Sequence, residues 1–472
     1  MVWEWMNKLV RGVGNEAADD MVFKMMKDKY TDNMLMVLSV MKRTSFFNAM
    51  EIWMRATQGQ VLERPLGTHL RLSPWELLVL NPVHLYRFPV EDSKKIDTGV
   101  TIGPLAEKPL ELKIPVYITG MSYGSALSKA AKVALAKAAS AMGTATNTGE
   151  AGLLPAEREA ADKLIGQYNR GGYLNTPDKY KQLDAIEIQL GQGAQGASPQ
   201  RTQARFIDEE MREVFGLEKG QDAVLHTRIP GVNSVEDFCS VVRKLKEDTV
   251  VPVGVKIAAS HYLEHELAVA VRAGVDFITV DGGEGATHAA SPTAEDHLGL
   301  PTIYAIARAR RYLNGEGQKG RISLLAGGGL FTPGHFLKAL ALGADAVYIG
   351  TTAVMAIVSQ QMVKVAPTEP PTQLVLHTGR FREKFDADLG AKSLVNFLKV
   401  SMDEITAVMY AIGKPAIAQL DTDDLCCLDP WLARALRVVY GGVAPSEQES
   451  YYQDLNAARW NQAGREEAPM VQ

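Results

Sequence analysis

The stretch Arg321-Ile-Ser-Leu-Leu-Ala-Gly-Gly-Gly-Leu330, with Ala344-Asp-Ala-Val-Tyr-Ile-Gly-Thr-Thr352 soon after it, decides how the chain is read. Each piece is a short apolar run that ends in glycine. Between them Pro333 opens a segment in which Phe336, Leu337, Leu340 and Ala341 fall at helical spacing. The order is strand, glycine loop, helix, strand, Gly-Thr. In a (β/α)8 barrel the loops after the last two strands build a phosphate site. There, glycine lets backbone N–H groups close on phosphate oxygens, and the next helix N-terminus favours the negative charge. Two tight turns without a ligand would use the same glycines. Their place at the end of a strand and helix series points to phosphate held by Gly327, Gly328, Gly329, Gly350 and Thr351.

Upstream of this pair the same alternation runs from Leu112. Strands are expected at 114–119, 144–147, 185–190, 223–227, 251–258, 277–280, 322–326 and 346–349, with helices at 129–142, 234–246, 262–273, 301–312 and 333–342. Eight strands alternating with helices predict an α/β fold, a closed (β/α)8 TIM barrel. The expected domains are an N-terminal helical cap (1–112), the barrel (113–365) and a C-terminal helical extension and tail (366–472). In the cap, Met34 to Arg55 reads as one amphipathic helix. In the extension, Lys392 to Gly413 reads as a long helix, and the last 25 or so residues are polar.

Composition narrows the function. The 472 residues are 46% hydrophobic, enough for a large core, and the net charge of −5 gives no support for nucleic-acid binding. Cys239, Cys426 and Cys427 offer neither a disulfide framework nor a four-cysteine metal site, and no metal is expected. The cysteine usage and the lack of a signal-peptide apolar core predict a reducing, cytoplasmic location. The uncharged run from Ala346 to Val363 is long enough to test as a membrane span. Its Gly350, Ser359, Gln360 and Gln361 favour strand plus buried helix.

Barrel active sites gather at the carboxyl ends of the strands. Those positions carry Gly120, Met121 and Ser122; Asn147, Thr148 and Glu150; Gln189, Gln192 and Gln195; Lys256; and Asp281, Gly282 and Gly283. Lys256 lies inside an apolar strand, where an unpaired cation is costly. It either stabilises negative charge on a bound group, such as a reduced flavin, or makes a salt bridge to Asp281 or Glu150. Glu150 either relays a proton or caps the next segment. His288 and Ser291 sit in the glycine-rich loop and are candidates to line the pocket. His261 and His265 are four apart but form no zinc signature, so a solvated helix face is expected.

The runs Gly120-Met-Ser-Tyr-Gly-Ser-Ala-Leu-Ser128, Asn147-Thr-Gly-Glu150, Gln192-Gly-Ala194, Val280-Asp-Gly-Gly-Glu-Gly285, Ala326-Gly-Gly-Gly-Leu330 and Ile349-Gly-Thr351 resemble the FMN-binding synthase domain of glutamate synthase, in particular its single-barrel relatives. Leu394 to Met409 resembles the helix that follows the barrel there. The resemblance covers about residues 80–430. It implies FMN in the barrel mouth, with its ring on Met121 and Ser122 and with Asn147, Gln192 and Lys256 at the polar edge. It implies that ammonia and 2-oxoglutarate form an imine reduced by hydride from the flavin, with Glu150 on the substrate side.

Three departures qualify what the resemblance implies. Val354 to Gln373 holds no cysteine, whereas the family carries an iron–sulfur cluster there. The electron donor is therefore expected to be NAD(P)H or a redox protein. Gln195 stands where the family has a lysine that holds the dicarboxylate, and an amide lacks the charge best suited to a carboxylate. No N-terminal glutaminase domain or cysteine nucleophile is expected, so ammonia comes from solution or from a glutaminase or reductase subunit. The expected function is an FMN-dependent oxidoreductase, glutamate synthase-like, acting on a small-molecule imine or similar double bond and working as a homo-oligomer. The alternatives are a flavin-binding subunit of a redox complex, or an FMN barrel isomerase or 2-hydroxy-acid oxidase.

Overall fold

A computed structural model describes residues 2–287 and 290–454. Its centre is a ring of eight parallel strands: β1 (Val116–Ile118), β2 (Thr146–Asn147), β3 (Leu164–Tyr168), β4 (Ala185–Gln189), β5 (Val253–Ala258), β6 (Phe277–Asp281), β7 (Ser323–Gly327) and β8 (Ala346–Ile349). Neighbours in sequence are neighbours in the sheet, and β8 returns to pair with β1. The ring closes where the Ile118 N–H donates to the Ala145 carbonyl at 3.0 Å and Gly120 bridges Asn147.

One expected strand was misplaced. Ala223–Leu225 pairs antiparallel with Gln200–Thr202, outside the ring. The missing ring strand is β3, whose Leu-Ile-Gly-Gln-Tyr carries no apolar run. Gly166 is needed there because a Cβ would lie 2.2 Å from the Leu183 side chain.

The strand starts show why the register holds. Asp184, Asp276 and Asp345 each stand just before a strand. Each accepts an N–H from the neighbouring strand: Leu164 at 2.9 Å, Val253 at 2.9 Å and Leu324 at 2.7 Å. Each also pairs with a cation from an adjoining helix, Arg158, Lys246 and Arg310 respectively. These clips fasten β3 to β4, β5 to β6 and β7 to β8. At the matching place before β2, Thr144 instead donates its hydroxyl to the Val116 carbonyl at 2.8 Å. A hairpin of Val100–Ile102 and Leu110–Leu112 packs Ile102, Leu110 and Leu112 against Tyr117, Ile165, Phe277 and Leu325, closing the amino end.

Around the ring, helix Lys129–Met142 starts from the Ser128 side chain, which accepts the Ala131 N–H, and stops at left-handed Gly143. The extension contributes Ala387–Ala411, capped by Asp386. Its Leu394, Leu398, Met402, Ile405 and Met409 recur every three or four residues and enter the same core. The run tested as a membrane span is β8 followed by helix Thr351–Val358, and among the described residues no helix is long and apolar enough to cross a membrane.

The chain divides into compact units at Glu63–Arg64, within the region expected as the cap. The first unit holds helices Val2–Lys27, Leu35–Thr44 and Phe46–Gln58. The single helix expected over 34–55 is two, broken at Ser45. That residue has φ of 67° and turns its hydroxyl to accept the Asn48 N–H, so it caps the second helix. The polar tail from 455 onward lies outside the described residues.

Candidate active site

The carboxyl mouth of the ring gathers polar side chains that the strands bury on approach. On β4, Glu187 is buried and accepts three neutral hydrogen bonds: from the Asn147 amide at 3.0 Å, the Gln167 amide at 2.8 Å and the Thr279 hydroxyl at 2.7 Å. Asn147 in turn accepts the Gly149 N–H at 2.9 Å. This network fixes the ends of β2 and β3 beneath Gly120, where a Cβ would come within 2.8 Å of Gln167 and 2.9 Å of Asn147. Gln167 is a residue that sequence reading missed, because the strand carrying it was missed.

Lys256 is buried and points into the ring. Its ammonium lies 3.4 Å from Asp281, 3.5 Å from the Thr119 hydroxyl and 4.9 Å over the Tyr348 ring. Of the two partners weighed from sequence, Asp281 is therefore the one it meets. Burial pushes the Tyr117 and Tyr348 phenols well above their usual range, so both stay protonated.

Glu150 does not cap the following helix, Pro155–Ala160, which begins at Leu154 without a side-chain cap. Both its oxygens are taken by Arg170, from Nε and Nη2 at 2.8 Å each, and Arg170 also donates to the Ser198 carbonyl at 3.1 Å. Arg170 is fully buried. A second buried cation, Lys132, donates to the Met121 carbonyl at 2.7 Å and the Asn147 carbonyl at 2.8 Å, and pairs with Glu157 at 2.9 Å. It ties the loop after β1 to the loop after β2. The sequence offered one signal for it, a lysine on the buried face of an alanine-rich helix.

Gln195 is buried. Its oxygen accepts from Gln200 and from the Thr287 hydroxyl, and its Nε2 has no hydrogen-bond partner within the chain. Gln189, hydrogen-bonded to Gln192 at 3.4 Å, likewise has a buried oxygen without a partner. Ser291 caps helix Pro292–His297 by accepting the Ala294 N–H. His288 lies outside the described residues.

The glycine loops are places where a side chain is hard to accommodate. Gly328 and Gly329 take φ of 110° and 66°, conformations that L side chains avoid. A Cβ on Gly328 would come within 2.7 Å of the Thr302 hydroxyl. Gly193 is closer still: a Cβ there would lie 1.7 Å from the Gly282 carbonyl. Gly350 starts helix Thr351–Val358 with no side-chain cap, so no capping side chain satisfies the first N–H groups of that helix. The Thr351 hydroxyl donates to the Leu66 carbonyl at 3.2 Å. Leu66 belongs to a strap that the sequence did not reveal. The Arg64 N–H donates to the Ala290 carbonyl, the Leu66 N–H to the Thr287 carbonyl, and Arg64 pairs with Glu295 at 2.7 Å and Asp296 at 2.5 Å. Residues 64–68 thus bind down the loop after β6. No group of His, Cys, Asp and Glu suited to a metal occurs among the described residues.

A parallel (β/α)8 barrel with a buried lysine and two glycine loops at its carboxyl mouth is the architecture of a barrel enzyme. The barrel compares with a flavocytochrome b2 double mutant with pyruvate bound at a TM-score of 0.50 and 15% identity, over 80% of this chain and 83% of that one. Residues 81–415 match the conserved region in glutamate synthase, and the chain belongs to the glutamate synthase family. A glutamate synthase large subunit-like protein of Rhizobium meliloti is 31% identical over 414 residues, 84% of this chain and 93% of its own length. The archaeal-type glutamate synthase [NADPH] of Thermotoga neapolitana is 35% identical over 313 residues, which is 66% of this chain and 62% of that protein.

Proposed function

We propose that this chain is an FMN-dependent oxidoreductase that reduces an imine formed from a 2-oxo acid and ammonia or an amine. Family membership supports the reaction class, and the observation that carries the cofactor is the pair of glycine loops at the carboxyl ends of β7 and β8, on the same ring as buried Lys256. The residues fit FMN. Gly327 to Gly329 with Gly350 and Thr351 would hold its phosphate. Met121 and Ser122 would lie along its ring. Asn147, Gln167, Gln192 and Lys256 would meet its polar edge, with Asp281, Gly282 and Gly283 lining the adjoining loop. Bound there, FMN supplies a hydride equivalent.

The chain's own residues do the rest. Lys256 is a fixed positive charge in a water-poor site, and such preorganised charge is worth more than the same group in water. Glu150, clamped by Arg170, presents a carboxylate whose position is set before substrate arrives. It serves to orient an ammonium or imine nitrogen. Gln195 offers a neutral N–H donor to a substrate oxygen. That amide suits a 2-oxo acid less demanding than a dicarboxylate, so strict glutamate formation is the narrower case. The name of the Thermotoga relative carries NADPH, and NADPH or a redox protein is the proposed donor.

The test is an anaerobic titration of the purified protein with NADPH and NADH, followed by visible absorption. A flavin band that bleaches, followed by turnover with 2-oxo acids plus amines, is the expected result. A band that bleaches only with an added redox protein points instead to a subunit of a redox complex. Absence of any flavin band after incubation with FMN overturns the reading.

A further inference from the structure

Lys256 is held differently from the other buried lysine of the barrel, Lys132. The Lys132 ammonium reaches its carbonyl acceptors at 2.7 and 2.8 Å, the length of a charge-assisted hydrogen bond. The Lys256 ammonium stands 3.4 Å from Asp281 and 3.5 Å from the Thr119 hydroxyl, both longer than such a bond. The Oδ1 of Asp281 is buried without a hydrogen-bond partner among the described residues. Unlike charges attract strongly in a water-poor interior, so another contact sets where the ammonium stops.

That contact is the ring of Tyr348, whose centroid lies 4.9 Å from the Lys256 ammonium. The face of an aromatic ring attracts a cation, most of all where water is excluded. Burial keeps the Tyr348 phenol protonated, so the ring meets the ammonium as a neutral face. The ring is itself wedged. Tyr117 packs against it with ring centroids 5.6 Å apart. Gly327 also abuts it, since a Cβ there would fall 2.3 Å from Cε2 of Tyr348. Gly327 is not in the left-handed region that Gly328 and Gly329 occupy. The first glycine of the run is therefore called for by the approach of this ring, not by its own backbone.

We propose that Tyr348 is a positioning residue for Lys256: its ring holds the ammonium partly off Asp281, which keeps the charge and its N–H donors available at the mouth. Gly327 is the residue that lets the ring stand there. The proposal rests on the reading of the mouth as a flavin site, and it adds that β8 sets the place of the cation beside a reduced flavin.

The test is the midpoint potential of the flavin, read by anaerobic reduction with a reference dye, together with thermal melts of the flavin-free protein. Y348F keeps the ring and should hold the wild-type potential. Y348L should shift the potential downward, in the direction of K256M and by less, because a cation free to close on Asp281 does less for negative charge on the flavin. In a K256M background Y348L should shift it no further. G327A, whose Cβ drives the ring aside without removing it, should reproduce Y348L, and it replaces Y348L if that variant does not fold. A wild-type potential in Y348L or G327A overturns the proposal. So does an equal downward shift by Y348L in the K256M background, which would make Tyr348 a packing residue only. A wild type that takes up no FMN sinks the flavin reading by itself. The contact is then judged by the melts, where Y348L should cost less in the K256M background than in the wild type, and equal costs overturn it.

Discussion

Arg170 and Glu150 form a buried pair in which each is the other's main polar partner. Removing one side of such a pair leaves a charge in the interior, at a cost of about 3–5 kcal/mol. Arg170→Met is therefore expected to lower the unfolding midpoint sharply in a thermal melt, and a second change, Glu150→Gln, to recover part of the loss. An unchanged midpoint in the single variant would show the pair to be solvated. Gly328 is a residue-scale constraint of another kind. Its φ of 110° and the Thr302 hydroxyl 2.7 Å from an added Cβ leave no room for a side chain. Gly328→Val is expected to yield protein with little or no flavin per folded chain; full flavin content would contradict the phosphate loop. The sequence pointed to Gly328, Lys256 and Glu150 because glycine runs and charges at strand ends are local signals. It did not point to Arg170, Gln167 or Lys132, whose roles depend on which strand or loop stands opposite.

At the scale of elements, the barrel is assembled from clipped pairs. Asp276 accepts the Val253 N–H and pairs with Lys246, so Asp276→Ala strands a buried donor and frees a cation. A loss of roughly 2–3 kcal/mol in denaturant unfolding is expected; a loss no larger than for an exposed aspartate would show the clip to be ornamental. The barrel helices after Ser128 and Ser234 were legible because each serine accepts a backbone N–H at the helix start, whereas the extension helix was read from Lys392, five residues late, although Asp386 caps it. Strand β3 was not legible, since Gly166 and Gln167 interrupt its apolar pattern and only the curvature of the ring explains them. The hairpin strand at 223–225 looked like a ring strand because it too follows a helix and is partly buried.

At the scale of the molecule, the contact between the strap at 64–68 and Glu295 is expected to make stability depend on pH. Burial pushes the Glu295 carboxyl up to about 6, against the pull of Arg64. Below its ordinary value of 4.5 the group is protonated in both folded and unfolded chains, and its contribution to stability is fully present. As pH rises through about 6 the folded chain must hold a buried charge, and that contribution is lost. The wild type is thus expected to lose stability across this window relative to Glu295→Gln, read as the difference in melting midpoint at each pH. Identical pH profiles for the two proteins would remove Glu295 from the account.

The clips also divide the ring unequally. At the amino end three strand pairs are riveted by a carboxylate and a cation, while β1 and β2 have there the neutral hydroxyl of Thr144 and are joined by Lys132 only at their carboxyl ends. That seam runs straight up to Gly120, Met121, Asn147 and Glu150. The amino end of the ring is expected to open most easily there, so that the amide hydrogen of Ile118, which donates to Ala145 across the seam, exchanges with deuterium before those of Leu164, Val253 and Leu324. A molecule lodged in the mouth is expected to act as a keystone for that seam, slowing the exchange of the one amide that the carboxylate clips leave unprotected.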